Sequence, residues 1–184
     1  MDLTEKKLAS RRVFDGKLLH IDSDTVLLPN GNEATREVIR HCGAVAVVPM
    51  LDDGRVVMVR QFRYPYGAVM LEVPAGKLDA GETPEEAAAR ELLEETGAVA
   101  ERLIDLGRYY PSVAYTDETI TIYLAQGLRF GDTHFDEDEF LEAETIPLDT
   151  LVDRVMLNEI PDGKTQVAIL KVKRWLDAGA RQSI

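Results

Sequence analysis

The sequence has few cysteines and no long apolar run, and each scarcity excludes a class of protein. Its one cysteine, Cys42, cannot form an intrachain disulfide, and a zinc site built from several cysteines is excluded. Because Cys42 lies at the start of an apolar stretch, we expect it in the core rather than as a nucleophile. No stretch approaches the ~18 apolar residues of a membrane helix, and the first residues lack the apolar segment of a secretory signal. We therefore expect a cytoplasmic protein with no membrane partner.

Basic residues are also scarce, with 21 Lys and Arg against 33 Asp and Glu, which gives a net charge of −12. Nonspecific binding of DNA needs a basic surface, so we expect no nucleic-acid partner. The excess acid lies in two segments: 76–98 has seven acids and two bases, and 131–144 has seven acids and no base. A solvated acidic surface is the ordinary explanation for such segments, and a binding site for cations is the alternative.

Hydrophobic patterning predicts a single globular unit of the α/β class, and 184 residues are enough to build one stable core. Alternating or continuous apolar runs predict strands, and apolar residues at helical spacing predict helices. The strands are predicted at 19–28, 34–40, 44–50, 55–63, 69–73 and 119–126, and the helices at 83–96, 148–158 and 164–178. This order of elements indicates an α/β sandwich with a mixed sheet.

The first two predicted strands precede the core, and Pro29-Asn30-Gly31-Asn32 between them is a strong turn signal for a β-hairpin. We therefore treat 1–40 as an N-terminal hairpin section and 41–184 as the main domain. A hairpin on its own has exposed edges. Packing on its own domain or on a second copy of the chain would cover them, and we expect a homodimer.

The helix predicted at 83–96 has strong local signals at both ends. Thr83 is a good N-cap, Glu86 completes a capping box with it, and Gly97 suits the end of the helix. These signals fix a helix of three to four turns, and with it the face on which each of its side chains lies.

Three glutamates, Glu91, Glu94 and Glu95, share one face of this helix, with Ala89 and Leu93 expected on the opposite face against the sheet. The like charges repel one another, and they lie in the C-terminal half, where the helix dipole disfavours anions. A divalent cation would compensate for both effects, and carboxylate oxygens suit Mg²⁺ or Mn²⁺. A solvated acidic face is the alternative.

The segment 76–98 resembles the Nudix box, a motif of fixed glycine, glutamate and arginine positions over 23 residues. The matching residues are Gly76, Glu82, Arg90, Glu91, Leu92, Glu94, Glu95 and Gly97, with Ala98 where the motif has a bulkier aliphatic residue. The resemblance implies the Nudix α/β/α sandwich. It also implies an enzyme that hydrolyses a nucleoside diphosphate linked to another group.

The same resemblance assigns roles within the box. It implies that Glu91, Glu95 and the backbone carbonyl of Ala75 bind Mg²⁺, or Mn²⁺ in its place. Glu94 would share or support a further ion, and Arg90 would orient Glu91 or Glu94. Glutamate carboxylates and a carbonyl oxygen are the hard ligands that such ions prefer.

Segments outside the box resemble the ADP-ribose pyrophosphatase branch of the family. They are Thr35-Arg36-Glu37-Val38, Gln61-Phe62-Arg63-Tyr64, Glu72-Val73-Pro74-Ala75-Gly76, Tyr110-Pro111-Ser112, Thr116-Asp117-Glu118, Asp136-Glu137-Asp138-Glu139 and Asp162-Gly163-Lys164-Thr165. The resemblance implies hydrolysis of ADP-ribose to AMP and ribose 5-phosphate. It implies that Arg63 binds a substrate phosphate, that Glu118 binds ribose hydroxyls, and that Arg36 reaches a phosphate across the dimer interface.

The four acids at 136–139 resemble a loop that supplies the catalytic base and a further metal ligand. Their alignment with that loop fits in registers one or two positions apart, and we assign the base to Glu137 and the ligand to Glu139. The base would take a proton from the attacking water. A solvated acidic loop is the alternative.

One departure keeps other functions open. Val113-Ala114 stand where the branch has a Pro-Gly pair that marks ADP-ribose specificity. The substrate would then be another nucleoside diphosphate sugar, such as GDP-mannose. A third reading is a Nudix-fold binding or regulatory domain without catalysis, although such domains usually lose box glutamates and this chain has all of them. An acidic surface for partner proteins is a fourth.

Overall fold

The computed structural model describes residues 2–131 and 141–182, with side chains described as far as 179 in the last helix. The backbone forms two compact units. The first unit ends at Gly43 and also takes in Tyr110–Thr119, and the second comprises Ala44–Tyr109 and the chain from Ile120 onwards. In the described part of the chain, no helix is long and apolar enough to cross a membrane.

The first unit is built on a three-stranded antiparallel sheet in the order β1-β2-β3. Its strands are β1 (Lys6–Asp15), β2 (His20–Leu27) and β3 (Glu33–Arg40). The predicted hairpin is confirmed as β2 and β3, joined by a turn in which the Gly31 N–H donates to the Leu28 carbonyl at 2.9 Å. Strand β1 extends the hairpin to a sheet and was missed, because all ten of its residues are exposed and no apolar alternation marks it.

The segment Tyr110–Thr119 lies along β3 within this first unit. The Ile39 N–H donates to the Tyr115 carbonyl at 2.8 Å, and the Ile39 carbonyl accepts from the Asp117 N–H at 3.2 Å. The Arg40 side chain donates to Asp22 at 2.9 Å, to Asp24 at 2.7 Å and to Asp117 at 3.2 Å. An ion-pair network therefore fixes this segment, which the sequence assigned to the main domain, to the N-terminal sheet.

The second unit contains two sheets and three helices. One sheet has the order β10-β5-β6 and is antiparallel, and the other has the order β7-β4-β9-β8 with β4 parallel to β9. The elements are β4 (Ala44–Pro49), β5 (Arg55–Arg63), β6 (Ala68–Glu72), β7 (Ala75–Lys77), β8 (Ala98–Tyr109), β9 (Ile120–Phe130), β10 (Leu141–Pro147), α1 (Pro84–Thr96), α2 (Leu148–Met156) and α3 (Gly163–Gln182).

Strand β4 lies at the centre of the second unit, and all six of its residues are buried. Alternate side chains pack in two different clusters, because successive residues of a strand point to opposite faces. Ala46 and Val48 join the cluster that includes residues of α2 and α3, whereas Val45 and Val47 join the cluster that includes residues of α1. Helices thus cover both faces of the sheet, and the predicted α/β/α sandwich with a mixed sheet is confirmed.

Three further strands were missed for reasons visible in the structure. Strand β7 has only three residues, Ala75–Lys77, which is too short to show an apolar alternation. Strand β8 has a register shift between Asp105 and Arg108, and Gly107 in that bulge has a φ of 87°, so its apolar alternation is interrupted. Strand β10 is short and polar, with the sequence LEAETIP. Its β-structure comes from pairing with β5 rather than from an intrinsic pattern.

Two expectations about burial are wrong. Cys42 is exposed, because the chain enters the buried sheet two residues later, at Ala44. Ala89 is exposed and Leu93 is half-buried, whereas Ala87, Ala88 and Leu92 form the packing face of α1. The packing face therefore borders the glutamate face instead of lying opposite to it. As a result, Glu91 and Glu95 are themselves buried.

Candidate active site

The helix α1 begins and ends where its sequence predicts. Thr83 is the N-cap: its Oγ1 accepts from the Glu86 N–H at 3.3 Å, and its own N–H donates to the Glu86 carboxylate at 2.8 Å. Gly97 ends the helix in the left-handed conformation, with a φ of 67°, and its N–H donates to the Leu93 carbonyl at 2.8 Å. The caps at both ends thus fix the position of the glutamates between them.

Two of the three helix glutamates are buried. Glu91 is 8% exposed and Glu95 is 3% exposed, while Glu94 is half-buried. The Glu95 carboxylate accepts from the backbone N–H of Ala75 at 3.2 Å. Burial of carboxylates is unfavourable without charged or hydrogen-bonding partners, so this face of α1 is not an ordinary solvated surface.

Gly76 lies directly against the Glu91 carboxylate. A Cβ atom at position 76 would be 1.9 Å from Glu91 Oε1, a separation at which one of the two would have to move. The glycine that opens the box lets the backbone approach this carboxylate closely. Ala75 and Gly76 in β7 and the buried glutamates of α1 therefore form one compact cluster.

Arg90 connects the box loop to the glutamate face of α1. Its Nε and Nη2 donate to the Glu82 carboxylate, each at 2.9 Å, and Nη2 also donates to the Lys77 carbonyl at 3.0 Å. Its Nη1 donates to Glu91 at 2.7 Å and to Glu94 at 3.0 Å. These five hydrogen bonds match the five N–H donors of a guanidinium.

The charges in this cluster stabilise one another. Hydrogen bonding to Glu82, together with Glu91 and Glu94, raises the pKa of Arg90 well above its ordinary value. Hydrogen bonding from Arg90 in turn lowers the pKa of Glu82, which also accepts from the Asp79 N–H at 2.9 Å. Arg90 thus contacts both Glu91 and Glu94, and Glu82 binds it from the loop. Its role in orienting Glu91 or Glu94 for a cation stays a prediction.

A second buried carboxylate, Glu72, lies at the end of β6, three residues before Ala75. Its side chain is 2% exposed. Arg63 grips it bidentately, with Nε donating to Oε1 at 2.7 Å and Nη2 donating to Oε2 at 2.6 Å, and the Lys164 ammonium donates to Oε2 as well. Burial alone would raise the pKa of Glu72, but Arg63 and Lys164 outweigh burial and lower it. Glu72 therefore persists as a carboxylate inside the protein.

The first turn of α3 holds this ion pair in place. The Asp162 carboxylate accepts from the Thr165 N–H at 2.9 Å, as an N-cap does, and from Lys164 at 3.1 Å. The fully buried Thr165 hydroxyl accepts from the Val73 N–H at 3.0 Å. Helix α3 thus anchors both Glu72 and the backbone that leads to Ala75.

Arg63 lies within electrostatic range of one helix glutamate, Glu95. Hydrogen bonding to Glu72 is the main cause that raises the pKa of Arg63, with longer-range contributions from Asp162 and Glu95. Its side chain is 38% exposed, whereas its partner Glu72 is hidden. The contact that Arg63 makes in the structure is this ion pair, and its binding to a substrate phosphate stays a prediction.

The donors around Gly76 suit a divalent cation in kind, since Glu91 and Glu95 supply hard carboxylate oxygens next to the Ala75 backbone. Over 2–131 and 141–182, however, no three carboxylates, imidazoles or thiols are grouped as a ready metal site. Glu91 and Glu94 instead contact Arg90.

Four further predicted site residues are Arg36, Glu118, Glu137 and Glu139. Arg36 and Glu118 belong to the first unit. Arg36 donates to the Glu5 carboxylate at 2.9 and 2.6 Å, and Glu118 is half-buried with its carboxylate 3.9 Å from His41 Nε2. Their roles as substrate contacts stay predictions. Glu137 and Glu139 lie outside the described residues.

Sequence reasoning missed Glu72 and Lys164 as members of the site. Both lie in segments that resemble the ADP-ribose pyrophosphatase branch, but the resemblance assigned neither residue a role. The signal for Glu72 is a charged residue directly after an apolar strand run, and the signal for Lys164 is its position next to Asp162, a good N-cap. Neither signal shows that the two residues meet, because 92 positions separate them.

Comparison with known proteins decides the family. A model of the NUDIX domain matches residues 40–167, more than two thirds of the chain. The chain belongs to the Nudix family. A model described as the nucleoside diphosphate sugar hydrolase N-terminal domain matches residues 5–39, which include β1, β2 and nearly all of β3. The resemblance stated from the sequence is thus confirmed.

Individual relatives match this Nudix chain almost from end to end. An ADP-ribose pyrophosphatase of Bacillus subtilis (strain 168) is 41% identical over 180 residues, covering 96% of this chain and 97% of that protein. A methanol dehydrogenase activator of Bacillus methanolicus is 38% identical over 167 residues, covering 90% of each. A crystal structure of an ADP compounds hydrolase matches with a TM-score of 0.86 and 28% identity, covering 98% of this chain and 99% of that one.

The lowered pKa of Glu72 predicts a pH-dependent stability. A carboxyl with a depressed pKa in the folded state contributes stability above its unfolded value near 4.5, and the contribution is lost as the pH falls through the folded pKa. Glu72→Gln leaves two cations without their carboxylate and should cost about 3 kcal/mol at pH 7. The difference from wild type in urea unfolding should shrink below pH 4.5.

The matched control is Glu101→Gln, which alters an exposed glutamate on β8. Its free energy of unfolding should stay within about 0.5 kcal/mol of wild type. A Glu72→Gln deficit of the same size at pH 3 and pH 7 would contradict an ionised Glu72 as the source of the stability.

Proposed function

We propose that this Nudix chain hydrolyses the diphosphate of ADP-ribose, releasing AMP and ribose 5-phosphate, with Mg²⁺ or Mn²⁺ as cofactor. The observation that carries the proposal is the cluster in which Arg90 holds Glu82, Glu91 and Glu94 beside the buried Glu95. That cluster occurs in a chain that aligns over 96% of its length with an ADP-ribose pyrophosphatase. We also propose that it acts in the cytoplasm.

The residues of the box have distinct tasks in the proposed mechanism. Glu91, Glu95 and the Ala75 carbonyl would hold the cation, with Glu94 and Glu139 contributing to a further site. When bound, such an ion neutralises the diphosphate and makes water a better nucleophile. Arg90 keeps Glu91 and Glu94 oriented, and the substitution of a neutral side chain there would release both.

The proton and the substrate are handled by residues outside the helix. Glu137 would take the proton of the attacking water, as a general base must when water becomes a nucleophile. Arg63 would grip a phosphate through the part of its guanidinium that Glu72 does not use. Both tasks are proposals, and the ion pair of Arg63 with Glu72 supports the second.

A substrate panel tests the proposed function. The purified chain is incubated with Mg²⁺ and, separately, with ADP-ribose, GDP-mannose and other nucleoside diphosphate sugars, and products are separated by ion-exchange chromatography. We expect AMP and ribose 5-phosphate from ADP-ribose, at a rate well above that of the other substrates. If only GDP-mannose is hydrolysed, GDP-mannose and not ADP-ribose is the substrate. No turnover with Mg²⁺ or Mn²⁺ would favour a binding domain.

Replacement of one box carboxylate should abolish most of the activity. Glu95→Gln converts a buried carboxylate into an amide, a poor ligand for Mg²⁺, and should lower kcat/KM about 100-fold or more. The matched control on the same helix is Glu85→Gln, an exposed residue of the first turn, which should retain wild-type kinetics. Near wild-type activity in Glu95→Gln would exclude it as a ligand.

We further propose that the chain is a homodimer that uses its N-terminal sheet. Strand β1 is an edge strand, fully exposed in the single chain, with Val13 and Phe14 among its apolar residues. Exposed edges of this kind are normally covered by another chain or by protective features. Sedimentation equilibrium should give twice the 20.5 kDa of one chain. A 20.5 kDa particle at micromolar concentration would refute the dimer.

A further inference from the structure

We propose that Glu72 and Lys164 form a mount that positions the Arg63 guanidinium for the substrate diphosphate. The inference rests on the proposed function, since it concerns how that substrate is bound. It adds two positioning residues that touch no substrate themselves.

The first step is the geometry of Arg63. Its Nε and Nη2 donate to the two oxygens of Glu72 at 2.7 and 2.6 Å, so one edge of the planar guanidinium is fixed. The Nη1 group makes no hydrogen bond to any residue that the structure describes. A bidentate grip of this kind fixes the plane of a guanidinium as well as its position. The orientation of the Nη1 group of Arg63 is therefore fixed, and this group is the one left to bind a phosphate.

The second step is the charge balance around Glu72. Removing one partner of a buried ion pair is costly when the remaining charge has no other partner. Glu72 has a second cation, because the Lys164 ammonium also donates to its Oε2. Lys164 itself is only 13% exposed. Lys164 thus continues to balance the charge of Glu72 while Arg63 also binds an anionic ligand. Arg63 is therefore held in place by Glu72 without its charge being fully neutralised.

The third step is the connection to the box. Glu72 precedes Ala75 by three residues, and the Val73 N–H between them is bound by Thr165 of α3 at 3.0 Å. Lys164 is the neighbour of Thr165, so one turn of α3 fixes both the ion pair and the backbone next to Gly76. Arg63 is in addition within electrostatic range of Glu95. The mount and the glutamate cluster of α1 are therefore joined through the backbone from Val73 to Ala75, whose N–H groups are bound by Thr165 and Glu95.

An ordinary structural ion pair would show the same distances, so the test must separate positioning from stability. If Glu72 acts through Arg63, its removal affects substrate binding only while Arg63 is present. A double-mutant cycle measures this dependence directly. The variants are Glu72→Gln, Arg63→Ala and the combination, with Lys164→Gln as a second way to disturb the mount from a different element.

Two readouts are used on the purified full-length chain. The first is steady-state hydrolysis of ADP-ribose with Mg²⁺, and the second is equilibrium binding of ADP-ribose in EDTA by calorimetry, which needs no turnover. We expect Glu72→Gln to raise KM and the Kd about tenfold, with kcat changed less than about threefold. In the Arg63→Ala background the same substitution should change either value less than about twofold.

Conservative and control variants sharpen the result. Lys164→Arg keeps a cation beside Glu72 and should restore most of the binding that Lys164→Gln loses. Arg60→Gln removes a half-buried cation of the same strand, paired with Glu144 at 2.6 Å, and should leave KM unchanged. The thermal unfolding of each variant is measured first. If Glu72→Gln does not fold, the cycle is carried out with Lys164→Gln, alone and combined with Arg63→Ala.

The outcomes distinguish this inference from the proposed function. Additive effects in the cycle, or a fall in kcat with unchanged KM, would overturn the positioning role while leaving ADP-ribose hydrolysis intact. A wild-type chain that does not hydrolyse ADP-ribose would refute the proposed function, and the binding cycle in EDTA would still test the mount. A wild type that neither hydrolyses ADP-ribose with Mg²⁺ nor binds it would refute both.

Discussion

The structure of the candidate site depends on one side chain, the guanidinium of Arg90. Three carboxylates converge on it, from Glu82 in the loop and from Glu91 and Glu94 on the helix. Without a cation at their centre these groups would repel one another in a partly buried environment, where charge interactions are stronger than in water. Arg90 thus links the loop that carries Glu82 to the helix face that carries Glu91 and Glu94.

A second cation-and-carboxylate centre lies on the other side of the same backbone segment. Arg90 fixes the carboxylates of α1, and α3 fixes Glu72 through Lys164. The four residues 73–76 run between these centres, with the Val73 N–H bound on one side and the Ala75 N–H bound on the other. A short stretch of backbone is thus held at one end by the hydroxyl of Thr165 on α3 and at the other by the carboxylate of Glu95 on α1.

The sequence predicts the parts of this arrangement that are local. The caps of α1, the strands with strong apolar patterns and the phase of the three glutamates follow from neighbouring residues, and the structure agrees with them. Spacing alone did not show that Glu91 and Glu95 are buried, because burial depends on where Ala88 and Leu92 meet the sheet. The pattern fixes the faces of a helix, but tertiary packing decides which of them is covered.

Contacts between distant positions were outside the reach of sequence reasoning. Arg63 was expected to meet a ligand, and its contact with Glu72 emerges only when β5 and β6 pair. Strands β1 and β10 lack an apolar alternation and form by pairing with β2 and β5. Such strands take their conformation from a partner, so their own sequences carry little information about it.

The parallel pairing of β4 with β9 also bears on how the chain reaches its native state. Ala44 lies opposite Ile120, a separation of 76 positions, and both belong to the central sheet. The entropy of closing so long a loop must be overcome before the contact is rewarded, which slows folding relative to helical proteins of equal size. During synthesis, β4 emerges from the ribosome long before β9 has been made. Its apolar residues therefore lack this partner strand until β9 emerges.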